Sequence, residues 1–281
     1  MNILASPADL LGTPWGMAIF IVIDIAVLVL IIALNYRWLF KRVLDFLFAA
    51  VFLIVFFPFF LIALVADAIY NRVTNAYKSL FAGEYCVGKK EKVFRLFTFT
   101  TERVLHDEEG RLLPVRERIT PMGRLLSAVG MKYYPCLVAV LAGKMSFVGP
   151  RPLSLADAAA LTSEQKGRFA VRPGLVSSLE RYGGESLTYP EMFEEDAEYA
   201  AHIGLFKDIS FFMTKLAHRL RGDSVRPYGE CTDRDYIGWM LDTGAIGEEE
   251  AAEYRERGEE RLAGLRNADR ERRSFERNLF Q

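Results

Sequence analysis

Residues Val115 to Leu153 read VRERITPMGRLLSAVGMKYYPCLVAVLAGKMSFVGPRPL, and the rest of the chain is organised around them. Within Ile119 to Val129, Met122, Leu125, Leu126 and Val129 recur three or four apart, which lays them on one face of a short amphipathic helix opening behind Thr120-Pro121. Arg124 points off that face. A second apolar turn, Leu137 to Leu141, follows Pro135, whose ring has no N–H to give and so opens a helix better than it continues one. After Gly143 the chain reaches Gly149-Pro150-Arg151-Pro152. A guanidinium stands there between two prolines of fixed φ, a fork pre-organised for a phosphate.

Three runs, RITPMGRLL, LAGKMSFVGPRPL and the later RFAVRPGLVSSLERYGG, occur in the order and near the spacing found in the bacterial sugar transferases, and the chain resembles that family from roughly Arg37 to Gly222. These are monotopic enzymes that move a phosphosugar from a nucleotide sugar to a polyprenyl phosphate. The resemblance implies that Arg118, Arg124, Arg151 and Arg172 form the phosphate- and substrate-binding set. It also implies a re-entrant membrane helix bent at a proline, here Pro58, with Phe57 where the family usually has a serine.

One departure decides the functional expectation. Ahead of its Leu-Pro the family carries an Asp-Glu pair, the Asp as nucleophile and the Glu at a magnesium ion. Here the same place reads Met131-Lys132-Tyr133-Tyr134-Pro135, so Lys132 and Tyr133 occupy the dyad positions, and no Asp or Glu occurs between Arg118 and Ala156. An ammonium or a phenol cannot hold a divalent cation as a carboxylate does. An exposed lysine is also about three pKa units from being a nucleophile at neutral pH. The family's Lys-Phe-Arg-Ser run is changed as well, with Thr98 and Thr100 in Val93 to Thr101 standing where two cations are expected. The alternation of Phe97 and Phe99 with those threonines still reads as a half-buried strand.

The 281 residues, 51% hydrophobic with a positive mean hydropathy, suffice for a soluble core plus membrane segments. A net charge of −1 gives no reason to expect a nucleic acid partner. Cys86, Cys136 and Cys231 have neither CxxC nor zinc spacing and read as reduced thiols. The opening Met-Asn-Ile-Leu-Ala lacks the charge and cleavage site of a signal peptide. Trp15 to Leu34 is apolar apart from Asp24 and long enough to cross a bilayer; Asp24 is either functional or simply protonated or partnered by a neighbouring helix. Val43 to Ala66 is a second apolar stretch. Arg37, Lys41 and Arg42 before it and Arg72 and Lys78 after it put both its ends on the cytoplasmic side, and Pro58 bends it, as a re-entrant helix requires. A plain two-helix hairpin would leave the domain outside, against Arg72 and Lys78.

Farther along, Ile69 to Gly83 reads as an amphipathic surface helix, Gly83 to Lys92 as loop, and His106 to Gly110 as a turn whose acidic neighbours are solvated. Ala156 to Arg168 reads as helical, Arg172-Pro173-Gly174 as a fixed turn, and Tyr182 to Glu185 as a flexible loop. Met192 to Tyr199 and Phe206 to Leu220 read as two helices, the second with an apolar stripe for a core or a membrane, and His202 and His218 as structural. The tail, Glu248 to Arg277, alternates charges of both signs and reads as an exposed helix weakened by Gly258 and Gly264, either a solvated appendage or a dock for another subunit.

The expected fold is therefore α/β, mostly helical with a short strand segment, in three parts: a transmembrane helix in 1–36, a transferase-like domain in 37–222 containing the re-entrant helix 43–66, and an extension in 223–281. The expected place is the cytoplasmic membrane of a bacterium, the bulk of the chain on the cytoplasmic face. The expected role is that of a transferase relative without catalysis, binding polyprenyl phosphate or a nucleotide sugar in surface-polysaccharide assembly. It would act as a homodimer or beside an intact paralogue or an assembly protein, with no cofactor. The alternative is an active transferase that uses magnesium and a carboxylate from outside the motif.

Overall fold

The computed structural model describes residues 13–105, 113, 115–182, 187–221 and 235–279, with backbone alone at 38, 115, 116 and 272–279. Helix α1 (Pro14–Leu34) begins with Pro14 at its first turn and the Thr13 hydroxyl accepting from Gly16 N at 3.1 Å. After a wide turn at Tyr36–Phe40 comes helix α2 (Lys41–Thr74), which contains Pro58. Both α1 and α2 are long and apolar enough to cross a membrane. A hairpin of β1 (Phe81–Val87) and β2 (Val93–Phe99) follows, and then the short helices α3 (Val115–Arg118), α4 (Pro121–Ala128) and α5 (Cys136–Leu141). Strands β3 (Ser146–Val148) and β4 (Leu153–Ser154), helix α6 (Leu155–Ala159) and strand β5 (Gly174–Val176) come next. Helices α7 (Tyr189–Ala201), α8 (Leu205–Arg221), α9 (Tyr236–Asp242) and α10 (Glu248–Leu279) complete it. The strands form two small sheets, β2-β1-β4 antiparallel and β3-β5 parallel.

Helix α2 is apolar all round except for one narrow stripe, and the stripe faces protein. Asp45 accepts from Ser146 Oγ at 2.7 Å and Phe147 N at 2.8 Å, Ala49 is fully buried, and Phe52, Leu53, Phe56 and Phe60 pack against Tyr134, Cys136, Leu137 and Phe147. The ring of Phe60 lies 4.6 Å from that of Tyr134 and 5.6 Å from that of Phe99. Farther on, Asp67 accepts from Tyr77 Oη, and the Asn71 amide brackets Tyr77 through its N and O. The domain thus packs on α2 both before and after Pro58. Next to the proline, Tyr134 Oη donates to Leu53 O at 2.6 Å, a second partner for backbone in the turn that the missing N–H loosens.

Several expectations change here. Residues 69–83 are not one surface helix: α2 runs on to Thr74 and ends at Asn75, whose φ of 47° is left-handed. The stretch read as loop begins with β1, where Phe81 pairs with Phe99 and Val87 with Val93. Along β2, Phe94 and Leu96 are buried while Phe97 is 43% exposed beneath the Arg95 guanidinium, so Phe97 is not a core residue. Phe99 is buried because Phe60 and Phe81 cover that end. The helix expected over Ala156 to Arg168 is only α6 followed by a 3₁₀ turn at Gln165–Ala170. His106 to Gly110, 183–186 and Cys231 lie outside the described residues. Cys86 and Cys136 are free, and burial pushes both thiols up to about 12.

The tail forms the helix the sequence predicts, with one of its faces packed on the domain instead of solvated. Ala251, Tyr254, Gly258, Leu262, Leu265 and Asp269 form a stripe of less exposed residues three or four apart, and α10 lays it against α6 and the hairpin. Tyr85 Oη donates to Asp269 Oδ2 at 2.9 Å and Arg261 Nη2 to Glu91 O at 2.9 Å. Tyr236, Ile237 and Met240 of α9 enter the same core as Leu153, Leu155, Tyr189, Met192 and Phe193. Asp157 Oδ1 accepts from Ile237 N at 3.3 Å, and burial, then the Asp235 charge, push the Asp157 carboxyl up to about 6. Gly258 is required by proximity, because a Cβ there would lie 2.9 Å from the Ala156 backbone. Gly258→Leu should therefore force the two helices apart, at a cost of about 1–3 kcal/mol in denaturant unfolding, whereas Gly264→Leu, with nothing within 4 Å, should not destabilise.

Candidate functional site

The dyad positions fall on a single 3₁₀ turn, Met131–Tyr133, between α4 and α5. Gly130 ends α4 with a φ of 80°, and Pro135 opens α5 as expected. Before the turn, Thr120 Oγ1 accepts from Gly123 N at 2.9 Å and donates to Thr101 O at 3.2 Å, tying the start of α4 to the segment that leaves β2. Thr120 N donates to Thr101 O, and Glu102 bridges Ile119. These bonds bring Glu102 to the dyad.

Glu102 is the acidic group that the sequence pattern missed. Its Oε1 lies 3.6 Å from Lys132 Nζ and its Oε2 lies 3.1 Å from Arg118 Nη1. Lys132 also lies over its neighbour's ring, 5.6 Å from the Tyr133 centroid. Arg118 spends its Nε on Leu113 O at 2.7 Å. One carboxylate is thus held between two cations where the family has two carboxylates. A divalent ion needs several anionic or neutral oxygens, and this donor set offers one carboxylate already neutralised on both oxygens. Among the described residues no three His, Cys, Asp or Glu side chains converge as metal ligands.

The remaining members of the expected arginine set lie elsewhere. Arg124 stands exposed on α4. Arg151 follows β3 in the Gly149–Pro152 loop, and its carbonyl accepts from Arg168 Nη2 at 2.6 Å; Arg168 is itself buried against Asp196 at 2.8 Å. Arg172 donates Nε to Gly143 O at 2.8 Å, beside Arg42, whose two terminal nitrogens reach Val140 O at 2.7 Å and Leu141 O at 2.9 Å. Both arginines therefore meet the carbonyls at the C-terminal end of α5, where its dipole favours cations. Lys132 lies at the opposite end. Arg151 and Arg172 share one corner, since the Gly149 backbone packs so closely on Arg172 O that a Cβ would come within 2.4 Å, and Gly149 N donates to Val176 O at 2.8 Å.

Lys41, in the sequence only one of the charges flanking α2, anchors this corner. Its ammonium reaches Asp208 Oδ2, Val148 O at 3.0 Å and Tyr199 Oη at 3.1 Å. Tyr36 Oη donates to the same carboxylate at 2.6 Å, and burial, then the Asp208 charge, drive the Tyr36 and Tyr199 phenols far above their usual pKa. No spacing in the sequence connects Lys41 with Asp208, 167 positions away.

The bacterial sugar transferase family model matches residues 36–222. The chain is 30% identical over 151 residues to a protein of Bacillus subtilis named uncharacterized sugar transferase EpsL, covering 54% of this chain and 75% of that one. It is 28% identical over 191 residues to the exopolysaccharide production protein ExoY of Rhizobium meliloti, covering 60% and 80%. It is 27% identical over 197 residues to a UDP-glucose:undecaprenyl-phosphate glucose-1-phosphate transferase of Caulobacter vibrioides, covering 66% and 71%.

Because Glu102, Arg118 and Lys132 are partly solvated, their pairing should be weak. A double-mutant cycle on Glu102→Gln and Lys132→Met should give a coupling of about 1 kcal/mol or less in denaturant unfolding. A coupling well above that would mean a desolvated, tightly held charge.

Proposed function

Since the chain belongs to the bacterial sugar transferase family, we propose that it is a member that has kept the family's hold on phosphorylated ligands and lost the chemistry, serving surface-polysaccharide assembly as a binding or partner subunit. The observation that carries this reading is the Lys132 ammonium at the nucleophile position with Glu102 shared between it and Arg118. Phosphoryl transfer depends on positioning and on metal and cationic charge. A site with no free carboxylate and no fit for magnesium among the described residues, and with threonines at 98 and 100, lacks the attacking group and much of that charge. Its partners would be polyprenyl phosphate or a nucleotide sugar, and a second copy, an intact relative or an assembly protein.

A specific observation favours the alternative. Glu102 is a carboxylate from outside the motif at the right place, and it would attack the sugar-bearing phosphorus, forming a P–O bond as the bond to UMP breaks. Purified full-length protein in detergent, given magnesium, a panel of UDP-sugars and polyprenyl phosphate, should release no UMP above a blank. Release that disappears in Glu102→Gln would make the chain an active transferase with a relocated nucleophile. Lys132→Asp with Tyr133→Glu alone should stay silent, and recovery is expected only when Thr98→Lys and Thr100→Arg are added.

We also read α2 as re-entrant, with α1 crossing the cytoplasmic membrane and the domain on the cytoplasmic face. The support is that one folded domain grips α2 on both sides of Pro58, through Lys41, Arg42 and Asp45 and again through Phe60, Asp67 and Asn71. Single cysteines at Asn35 and Asn75 should both react with an impermeant thiol reagent from the cytoplasmic side only. Labelling of the two from opposite faces would make α2 a crossing helix.

A further inference from the structure

The carboxylate of α1 is used neither by the dyad turn nor by the anchors of α2. Asp24 stands ten residues from Pro14 and ten from Leu34, at the middle of an otherwise uncharged helix. At a rise of about 1.5 Å per residue, that is about 15 Å from either end. Lysine and arginine carry their charge toward a membrane surface on long flexible stems, and aspartate has no such stem. Among the described residues no hydrogen bond or ion pair engages Asp24, and it is exposed. A carboxylate at that depth is costly unless another group meets it.

The two apolar helices hold nothing that could meet it. α1 carries no Lys or Arg, and within Val43–Ala66 of α2 the charged residue is Asp45, already engaged by Ser146 and Phe147. Asp24 also points the wrong way for its own domain. Toward the end at which the chain enters that domain, Ile32 and Ala33 are half-buried, and Ala33 follows Asp24 by about two and a half turns, which sets it on the opposite side of the helix. A second α1 lying parallel to the first would bring a like charge to the same depth.

We infer that Asp24 is a docking point for another membrane protein, one whose spanning helix carries a Lys or Arg at mid-bilayer. Charge complementarity selects the cation, since the carboxylate has no counter-charge in either apolar helix. Packing supplies the rest: Phe20, Ile21, Val27 and Leu28, three or four residues to either side of Asp24, are exposed and form an apolar face for the incoming helix. The surface lies outside residues 36–222, where the family model matches, and so is separate from the dyad turn and the arginine corner. It gives the proposed subunit role a partner of stated chemistry. The inference rests on the reading of α1 as a crossing helix, not on whether the chain turns over.

The test uses the full chain in phosphatidylcholine vesicles, with Cys231→Ser and a fluorescent donor on Asn35→Cys. The probes are synthetic spanning peptides of leucine and alanine that carry an acceptor and one central Lys, one central Asp or no charge. Energy transfer should show the Lys peptide bound about tenfold or more tightly than the uncharged one. Asp24→Leu and Asp24→Asn should each abolish that preference, and Asp24→Lys should transfer it to the Asp peptide. Retention of the preference in Asp24→Asn would mean a neutral hydrogen bond and overturns the ion pair. Equal binding of the Lys and uncharged peptides overturns the inference, as does a self-association of the chain that Asp24→Leu removes while the Lys peptide goes unbound. Cysteines at Trp15 and Asn35, labelled from opposite faces of the vesicle, establish separately that α1 crosses. Labelling of both from one face would overturn the crossing reading and this inference with it, whereas a crossing α1 without the Lys preference overturns this inference alone.

Discussion

Everything near the candidate site depends on a narrow polar and aromatic stripe along an otherwise apolar helix. A carboxylate such as Asp45 on a hydrophobic helix cannot be left in lipid, so it must find protein partners. It finds them at Ser146 and Phe147, and that fixes β3 against α2. Strand β3 in turn launches the Gly149–Pro152 loop and pairs with β5, which carries the Arg172 turn. Tyr134 ties the dyad turn to the same helix through Leu53. Apolar helix and site are thus one packed unit.

Within that unit the dyad positions carry an ammonium and a phenol where the resemblance implies two carboxylates. The Thr120 cap and the Pro135 start of α5 form as the residue pattern predicts, with a tight turn at Gly130 between them. What has changed is the side chains they present. Among the described residues Glu102 supplies the carboxylate, and its two oxygens compensate Lys132 and Arg118 instead of remaining open to a metal. The Lys132 ammonium is electrostatically self-consistent there, because the segment leaving β2 gives it Glu102 as a partner.

The extension beyond the family match completes the core. Its stripe of Ala251, Gly258 and Leu265 is thin because the contact with α6 is close, and close helix packing selects small residues. In composition such a helix looks solvated. Tyr236 and Ile237 of α9, buried against Tyr189 and Phe193, show that the region after residue 234 belongs to the same core as the loop bearing Arg151.

The sequence by itself determined the local and the chemical facts. Apolar length marked α1 and α2, helical spacing and proline caps marked α4 and α5, and three ordered motifs marked the family, because each of these is written in neighbouring residues. The absence of an acidic pair at Lys132 and Tyr133 was equally legible. Only the tertiary structure decided which charges meet: Glu102 with Lys132, Lys41 with Asp208, Arg42 with the end of α5, and α10 with α6. Those partners are separated by tens to more than a hundred positions, and periodicity carries no information across such distances. Strand β1 escaped notice for a related reason: Gly83 and Glu84 weaken its pattern locally, and its stability comes from pairing on both sides with β2 and β4.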